Sequence, residues 1–293
     1  MKNWFRYIFY ASLVFLVIAL IRADYLVFPH IHNYLQLSIS LGLLFLGFIL
    51  NGMSWTQVLR RAGFEVSYPE GIASTGLSIF GKYIPGKIWI IMGRAEYLSR
   101  KRGFPRKELG SYSFDAQFIA LWAALMLGTI GMFWVESYDL YGLSVLLLFI
   151  LLSLIIYTPF FHRIAEWVAS KISGRTISIP KLPFTSVYKL ILWFIAYWGC
   201  WSLSFYFLAS SMVSEPLPIH ISFAFGLAGS LGILAVFAPG GIGVREGILT
   251  GYLVMAGLDL PTATTIAVTS RLWYLTGEIF IFLMGGASSR KSS

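Results

Sequence analysis

The sequence predicts an all-α polytopic membrane protein, and three observations predict it. Charged residues make up 12% of the 293 residues while 57% are hydrophobic, against about 25% charged in a soluble domain. The apolar residues run on continuously instead of alternating, which is the pattern of a spanning helix and not of a barrel strand. The basic residues fall in clusters between the runs, the distribution that orients helices in a bilayer. Disordered, collagen-like and disulfide-scaffold classes are excluded by the same composition. The lone Cys200 lies in an apolar run and reads as a buried thiol.

About six spans are expected, at Tyr7–Ile21, Tyr34–Met53, Gly110–Trp134, Leu140–Phe160, Leu190–Met212 and Thr262–Met284. Each is near the ~20 residues that cross the hydrocarbon, the first being short. Lys2 and Arg6 flank that first run as they would a signal peptide, but no small-x-small cleavage site follows, so the helix is expected to be retained. Two further apolar stretches are longer and interrupted. Ile72–Leu98 is broken at Pro85 and Gly86, and Ile219–Ala256 at Pro239, Gly240 and Gly241. Proline removes a backbone donor and glycine adds freedom, so both pairs interrupt a helix. In a bilayer such a break survives only where protein or a wet cavity covers it.

Topology follows from charge. Arg60 and Arg61, the run Arg100, Lys101, Arg102, Arg106 and Lys107, the group from Arg163 to Lys189, and Arg290 with Lys291 all fall on one side if that side is cytoplasmic. Both termini are then cytoplasmic. Each broken stretch must enter and leave from one face, the first from the cytoplasm and the second from outside, as a re-entrant hairpin or a pair of short tilted helices. The chain reads as one domain, 1–293, with a short tail at 287–293 and two halves of opposite orientation, about 1–135 and 136–286. A shift of 154 residues lays Pro85 on Pro239, Gly86 on Gly240 and Leu77 on Leu231. Inverted repeats with broken helices are a recurring transporter design, with the substrate near the midplane.

Of the 22 basic residues, sixteen lie in the cytoplasmic segments and Arg22 in an outer loop; Lys82, Lys87, Arg94, Arg245 and Arg271 remain, in or beside the hairpins and the last span. A base at mid-membrane costs about 2.5–3.5 kcal/mol on the insertion scale. Lys82 and Lys87 can snorkel, and Arg94 and Glu96 suit an interface or a cavity equally. Arg271 is too deep to snorkel, and Glu278 lies two turns further on the same face. Glu246 follows Arg245 directly. A half-helix starting after Gly86 or Gly240 would aim free N–H groups at the break, an end that attracts anions. Gly243, Gly247 and Gly251, spaced by four, read as a helix-packing face. The G-x-x-x-x-G-K spacing from Gly81 to Lys87 lacks the Ser or Thr of a phosphate loop, having Ile88 there. The segment Phe161–Lys171 reads as an interfacial helix. No catalytic, metal or cofactor motif is found, and no cofactor is expected.

The two broken segments, GKYIPGKIWIIMGRAEYLSRKRG and APGGIGVREGILTGYLVMAG followed by TSRLWYLTGEIF, resemble the flippase-like family. This is the membrane domain of lysylphosphatidylglycerol synthases (multiple peptide resistance factors) and their stand-alone relatives. The resemblance runs roughly from Tyr34 to Gly285. It implies movement of a phospholipid between leaflets, aminoacylated phosphatidylglycerol or a glycolipid among the candidates, in the plasma or inner membrane. By motif it carries the breaks Pro85, Gly86, Pro239, Gly240 and Gly241, and the charged positions Arg94, Arg245, Glu246 and Arg271. The synthases' separate catalytic domain is expected to be absent, since the sequence ends at Ser293 just after the last span, so a transporter is expected and not an enzyme. A membrane-embedded transferase and an accessory scaffold for envelope synthesis are the alternatives. The partners this implies are a membrane phospholipid or lipid-linked substrate, a separate lipid-modifying enzyme or glycosyltransferase, and a second copy of the chain, but no nucleic acid. The groove reading assigns the headgroup to Lys82, Lys87, Arg94, Arg245, Glu246, Arg271 and Glu278, with Arg271 foremost.

Overall fold

A computed structural model describes residues 30–84, 88–135, 140–157, 182, 184–235 and 238–291, together with Arg163, Glu166, Trp167 and Lys171. The described elements are helical throughout. They are α1 (Tyr34–Arg61), α2 (Tyr68–Ser78) with a 3-10 turn at Ile79–Tyr83, α3 (Ile88–Arg102), α4 (Arg106–Met132), α5 (Leu140–Tyr157) and α6 (Phe184–Met212). After a 3-10 turn at Ile219–Ser222 come α7 (Phe223–Leu234), a turn at Pro239–Gly241, α8 (Val244–Met255) and α9 (Leu260–Lys291). Helices α1, α4, α6 and α9 are each long and apolar enough to cross a membrane, and α5 is a shorter apolar helix. The run Tyr7–Ile21, the first break at Pro85, Gly86 and Lys87, and most of Phe161–Lys171 lie outside the described residues.

Several helices outrun their apolar cores for a local reason. α1 continues past Met53 because Trp55, Val58 and Leu59 are buried, and a Cβ on Gly52 would lie 2.9 Å from the Ile72 Cα of α2. α2 starts at Tyr68, four residues before the apolar stretch, because Ser67 and Glu70 form a capping box: Glu70 accepts the Ser67 N–H at 3.0 Å, and the Ser67 hydroxyl accepts the Glu70 N–H at 3.4 Å.

The bundle is organised about the seam between α1 and α6. The Ser40 hydroxyl donates to the Ser204 carbonyl at 2.8 Å and the Ser204 hydroxyl back to the Ser40 carbonyl, while the Ser54 hydroxyl reaches the Trp193 carbonyl at 3.3 Å. Serines and small residues are the usual glue between helices that gain nothing hydrophobic by meeting in lipid. Pairing 40 with 204 and 54 with 193 makes the two helices antiparallel. Outside the seam, α2 lies on α9 and α7 on α4; α3 packs against α4 and α8 against α9; each broken pair, α2 with α3 and α7 with α8, also packs on itself.

One end of the bundle gathers the bases. Arg102 forks onto Glu70, with Nε on Oε1 at 2.7 Å and Nη2 on Oε2 at 3.0 Å, and Arg60 Nε donates to the Val66 carbonyl at 2.9 Å. These bonds tie the ends of α1, α2 and α3 together. At the opposite end the Tyr252 hydroxyl sits 3.0 Å from the carbonyls of both Gly131 and His220, joining α8, α4 and the start of α7.

The Arg102 guanidinium, helped by the Ser67 N–H and hydroxyl and opposed by burial, holds the Glu70 carboxyl down to about 2 from an ordinary 4.5. A depressed carboxylate stabilises the fold fully above its unfolded value and loses that stabilisation as pH falls through its folded one. Thermal melts in detergent are therefore expected to fall between pH about 4.5 and about 2. In Glu70→Gln this step disappears; an unchanged pH profile in that variant contradicts the assignment.

The four-spaced glycines do not pack as their spacing predicts. A Cβ on Gly243, Gly247 or Gly251 meets nothing within 4 Å among the described residues, and all three are exposed. Close approach occurs elsewhere: at Gly76 against Ile281, at Gly128 against Leu227, and at Gly277 against Phe48.

Candidate functional site

The two broken stretches meet in the middle of the bundle, alongside the central turns of α9. The turn at Ile79–Tyr83 touches the turn at Pro239–Gly241. Gly240 has φ +59°, and a Cβ there would fall 2.6 Å from the Tyr83 ring. Glycine is required on both counts, conformation and space. Gly241 and Gly243 also take positive φ, 73° and 82°, so the chain reverses within five residues before α8 begins.

α9 carries Arg271, Tyr274 and Glu278 at spacings of three and four, which puts them on one face. Arg271 is 2% exposed. Its Nη1 donates to the Gly240 carbonyl at 2.9 Å and lies 3.7 Å from Glu246 Oε1. Glu278 is 0% exposed; its Oε1 pairs with the Lys82 ammonium and its Oε2 accepts from the Tyr83 hydroxyl at 2.7 Å. Glu246 Oε2 accepts the Gly243 N–H at 2.7 Å. The start of α8 therefore holds the protein's own carboxylate, and the open anion site expected there is occupied by Glu246.

Beside these contacts lies a cavity of about 350 Å³. Its charge comes from Lys82, Arg94 and Arg245, and its walls include Trp55, Tyr197, Trp198, Trp201, Phe225 and Tyr274. Arg245 is held between two rings, 4.6 Å from the Phe225 centroid and 4.8 Å from that of Tyr274. Lys82 Nζ lies 4.7 Å over Tyr274. Arg94 lies over Trp55 and reaches Asn51 Oδ1 at 3.4 Å. Rings in this position hold a cation in place without neutralising it. Among the described residues no carboxylate lines the cavity. Arg245 Nε and Nη2 and Arg94 Nε are buried and make no hydrogen bond within the described residues. Buried donors without partners are costly unless something supplies an acceptor.

The expected site residues thus separate into two sets. Lys82, Arg94 and Arg245 line the cavity; Arg271, Glu246 and Glu278 stand behind it and hold the breaks in place. Lys87, Pro85 and Gly86 are outside the described residues, and Pro239 opens the second turn. Sequence reasoning missed Tyr83, Tyr274, Asn51 and the tryptophan wall. Tyr274 had a signal, since it falls between Arg271 and Glu278 on one helix face; the tryptophans of α6 had none, being ordinary core residues by spacing.

Long apolar helices around a buried basic cavity define an integral membrane protein. Its family is shown by sequence: residues 4–285 match the model described as the lysylphosphatidylglycerol synthase TM region, and the chain belongs to that family. Its role accordingly lies in the membrane and in lipid-related processes. No curated protein matches the chain.

Proposed function

We propose that the protein moves an anionic phospholipid or a related lipid between membrane leaflets, with the headgroup phosphate in the cavity and the tails in the surrounding lipid. One observation carries this reading: Lys82, Arg94 and Arg245 line the cavity while no carboxylate lines it among the described residues, and Arg94 and Arg245 have buried donors without hydrogen bonds. Guanidinium groups match phosphate oxygens in geometry and charge. An amine, such as that of an aminoacyl group, finds no carboxylate on this wall, because Glu278 is engaged by Lys82 and Tyr83 and Glu246 by Gly243. Aminoacylated phosphatidylglycerol and phosphate-linked glycolipids both fit through their phosphate.

The transport design we infer is an inverted repeat of two halves, multi-pass in the plasma or inner membrane, with both termini cytoplasmic. Its support is the packing. Exchanging α1 with α6, α2 with α7, α3 with α8 and α4 with α9 turns every packing named above into another: α2 on α9 becomes α7 on α4, and α3 on α4 becomes α8 on α9. The seam helices α1 and α6, which exchange with each other, are antiparallel, as opposite orientation requires. In this design both breaks are re-entrant, α2 and α3 from the basic end and α7 and α8 from the other. We assign no catalytic residue. A separate lipid-modifying enzyme or glycosyltransferase supplies the lipid or consumes it.

The test is leaflet exchange in liposomes that contain the purified protein and a trace of fluorophore-labelled phosphatidylglycerol, read by an impermeant quencher. Proteoliposomes are expected to expose inner-leaflet label faster than protein-free vesicles. Exchange no faster than in protein-free vesicles, for phosphatidylglycerol and for other anionic phospholipids alike, overturns the proposal.

A further inference from the structure

We propose, resting on the anionic headgroup reading above, that the lipid carries two phosphates in one headgroup, one held at Arg94 and the other at Arg245. The cavity is the one already described, and its two arginines narrow the class of lipid it takes.

Both arginines are buried, and both are held in place. Arg94 is 8% exposed and Arg245 6%. Arg94 reaches Asn51 Oδ1 at 3.4 Å and lies 5.9 Å from the Trp55 ring. Trp55 is itself tied down, its Nε1 donating to the Ser74 hydroxyl at 2.8 Å. Arg245 sits between the rings of Phe225 and Tyr274. No ion pair joins either arginine to a described carboxylate: Glu278 faces Lys82, and Glu246 faces Arg271. Each arginine also keeps a buried donor without a hydrogen bond among the described residues. Two guanidinium charges thus stand buried and uncompensated, a costly arrangement until anions reach them.

The two charges are also apart. α1 and α9 lie side by side where the Phe48 ring meets that of Tyr274 at 5.0 Å. Asn51 and Trp55 follow Phe48 by three and seven residues. At 1.5 Å per residue this puts Arg94 about 5–10 Å further along α1 than the level of Tyr274 and Arg245. α6 spans the interval with Trp201 and Tyr197, whose rings step away from Tyr274 at 5.4 Å and then 4.9 Å. This bridge is aromatic and carries no charge.

Charge and spacing together select the headgroup. A single phosphodiester at Arg245 leaves Arg94 buried and unpaired, and one at Arg94 does the same to Arg245. Two phosphates in one headgroup, joined directly or through a short spacer, compensate both, and each guanidinium then binds a phosphate of its own. A doubly charged phosphate at one point supplies the charge without the reach. Binding alone is involved: no bond in the lipid forms or breaks, and Lys82 stays with Glu278.

The experiment measures affinities by calorimetry for the full chain in detergent with four short-chain probes. Dioctanoyl phosphatidylglycerol carries one phosphodiester and dioctanoyl phosphatidate one phosphomonoester. Farnesyl diphosphate carries two phosphates joined directly, and a short-chain cardiolipin two phosphodiesters across a glycerol. One of the two-phosphate lipids is expected to bind at least about tenfold tighter than phosphatidylglycerol, the effect of one added charge-assisted hydrogen bond. Which of them leads tells whether the phosphates are joined directly or spaced. In Arg94→Gln, and separately in Arg245→Gln, the preference is expected to shrink to about threefold or less. If neither variant folds, the wild-type ranking of the four probes decides. Two-phosphate lipids that bind no tighter than phosphatidylglycerol overturn the proposal while leaving the headgroup reading intact. Phosphatidate that matches the tighter of them overturns it as well, since charge without spacing then suffices. A preference that persists in both variants overturns the assignment to these arginines. Absence of binding by all four probes overturns the headgroup reading and the proposal with it.

Discussion

Replacing Glu278 with alanine is expected to destabilise the protein by about 3–5 kcal/mol, the cost of leaving a buried charge without its partner. The change strips Lys82 of its counter-ion and the Tyr83 hydroxyl of its acceptor at once. Both residues lie on the turn of the first break, so the loss falls where the two broken stretches touch. The partial exposure of Lys82 to the cavity places the expected value toward the lower end. Removing the charges together should cost much less: Lys82→Met with Glu278→Leu leaves no stranded ion, and replacement of a buried pair by apolar groups is often neutral. Chemical denaturation in detergent compares the single and double variants. A double variant as unstable as Glu278→Ala alone would show that the carboxylate stabilises through something other than Lys82.

Gly76→Leu is expected to separate α2 from α9 and to cost at least about 3 kcal/mol, above the usual range for overpacking. Even a Cβ at this position would run into the Ile281 carbonyl oxygen and lie 2.9 Å from its carbon, with the Gly285 Cα at 3.4 Å. These are backbone atoms of a facing helix and cannot rotate away. The displacement would reach the site, because α9 carries Arg271, Tyr274 and Glu278 against the breaks that α2 leads into. Gly247→Leu makes the same chemical change where nothing lies within 4 Å among the described residues. Melting temperatures of the two variants should therefore diverge, the first falling and the second staying near wild type. Equal effects would contradict the packing of α2 on α9.

How much was legible in the sequence depends on the kind of signal. Pro239 with Gly240 and Gly241 marked the second break because backbone chemistry is local. The capping box of Ser67 and Glu70 was equally local and went unread, which is why α2 begins before its apolar stretch. Arg245 and Arg271 stood out as charges in apolar surroundings, but their roles did not. Which arginine faces a cavity and which braces a turn depends on the helix opposite, and a single sequence carries no contacts. Glycine spacing failed for the same reason: Gly243, Gly247 and Gly251 define a face of α8, while the partner of that face is not written in the period. The aromatic wall was hidden because Trp198 and Trp201 read as core by any local rule, and only the packing of α6 against α1 and α7 turns them toward the arginines.

The central claim is that Arg94 and Arg245 receive the phosphate of a lipid in transit. Leaflet exchange of labelled phosphatidylglycerol tests it most directly when wild type is compared with Arg94→Gln/Arg245→Gln in matched liposomes. Each lost charge-assisted hydrogen bond is worth about 1.5–3 kcal/mol, so the rate is expected to fall by at least about tenfold while the variant remains folded and reconstituted. Exchange at the wild-type rate in the double variant would contradict the account.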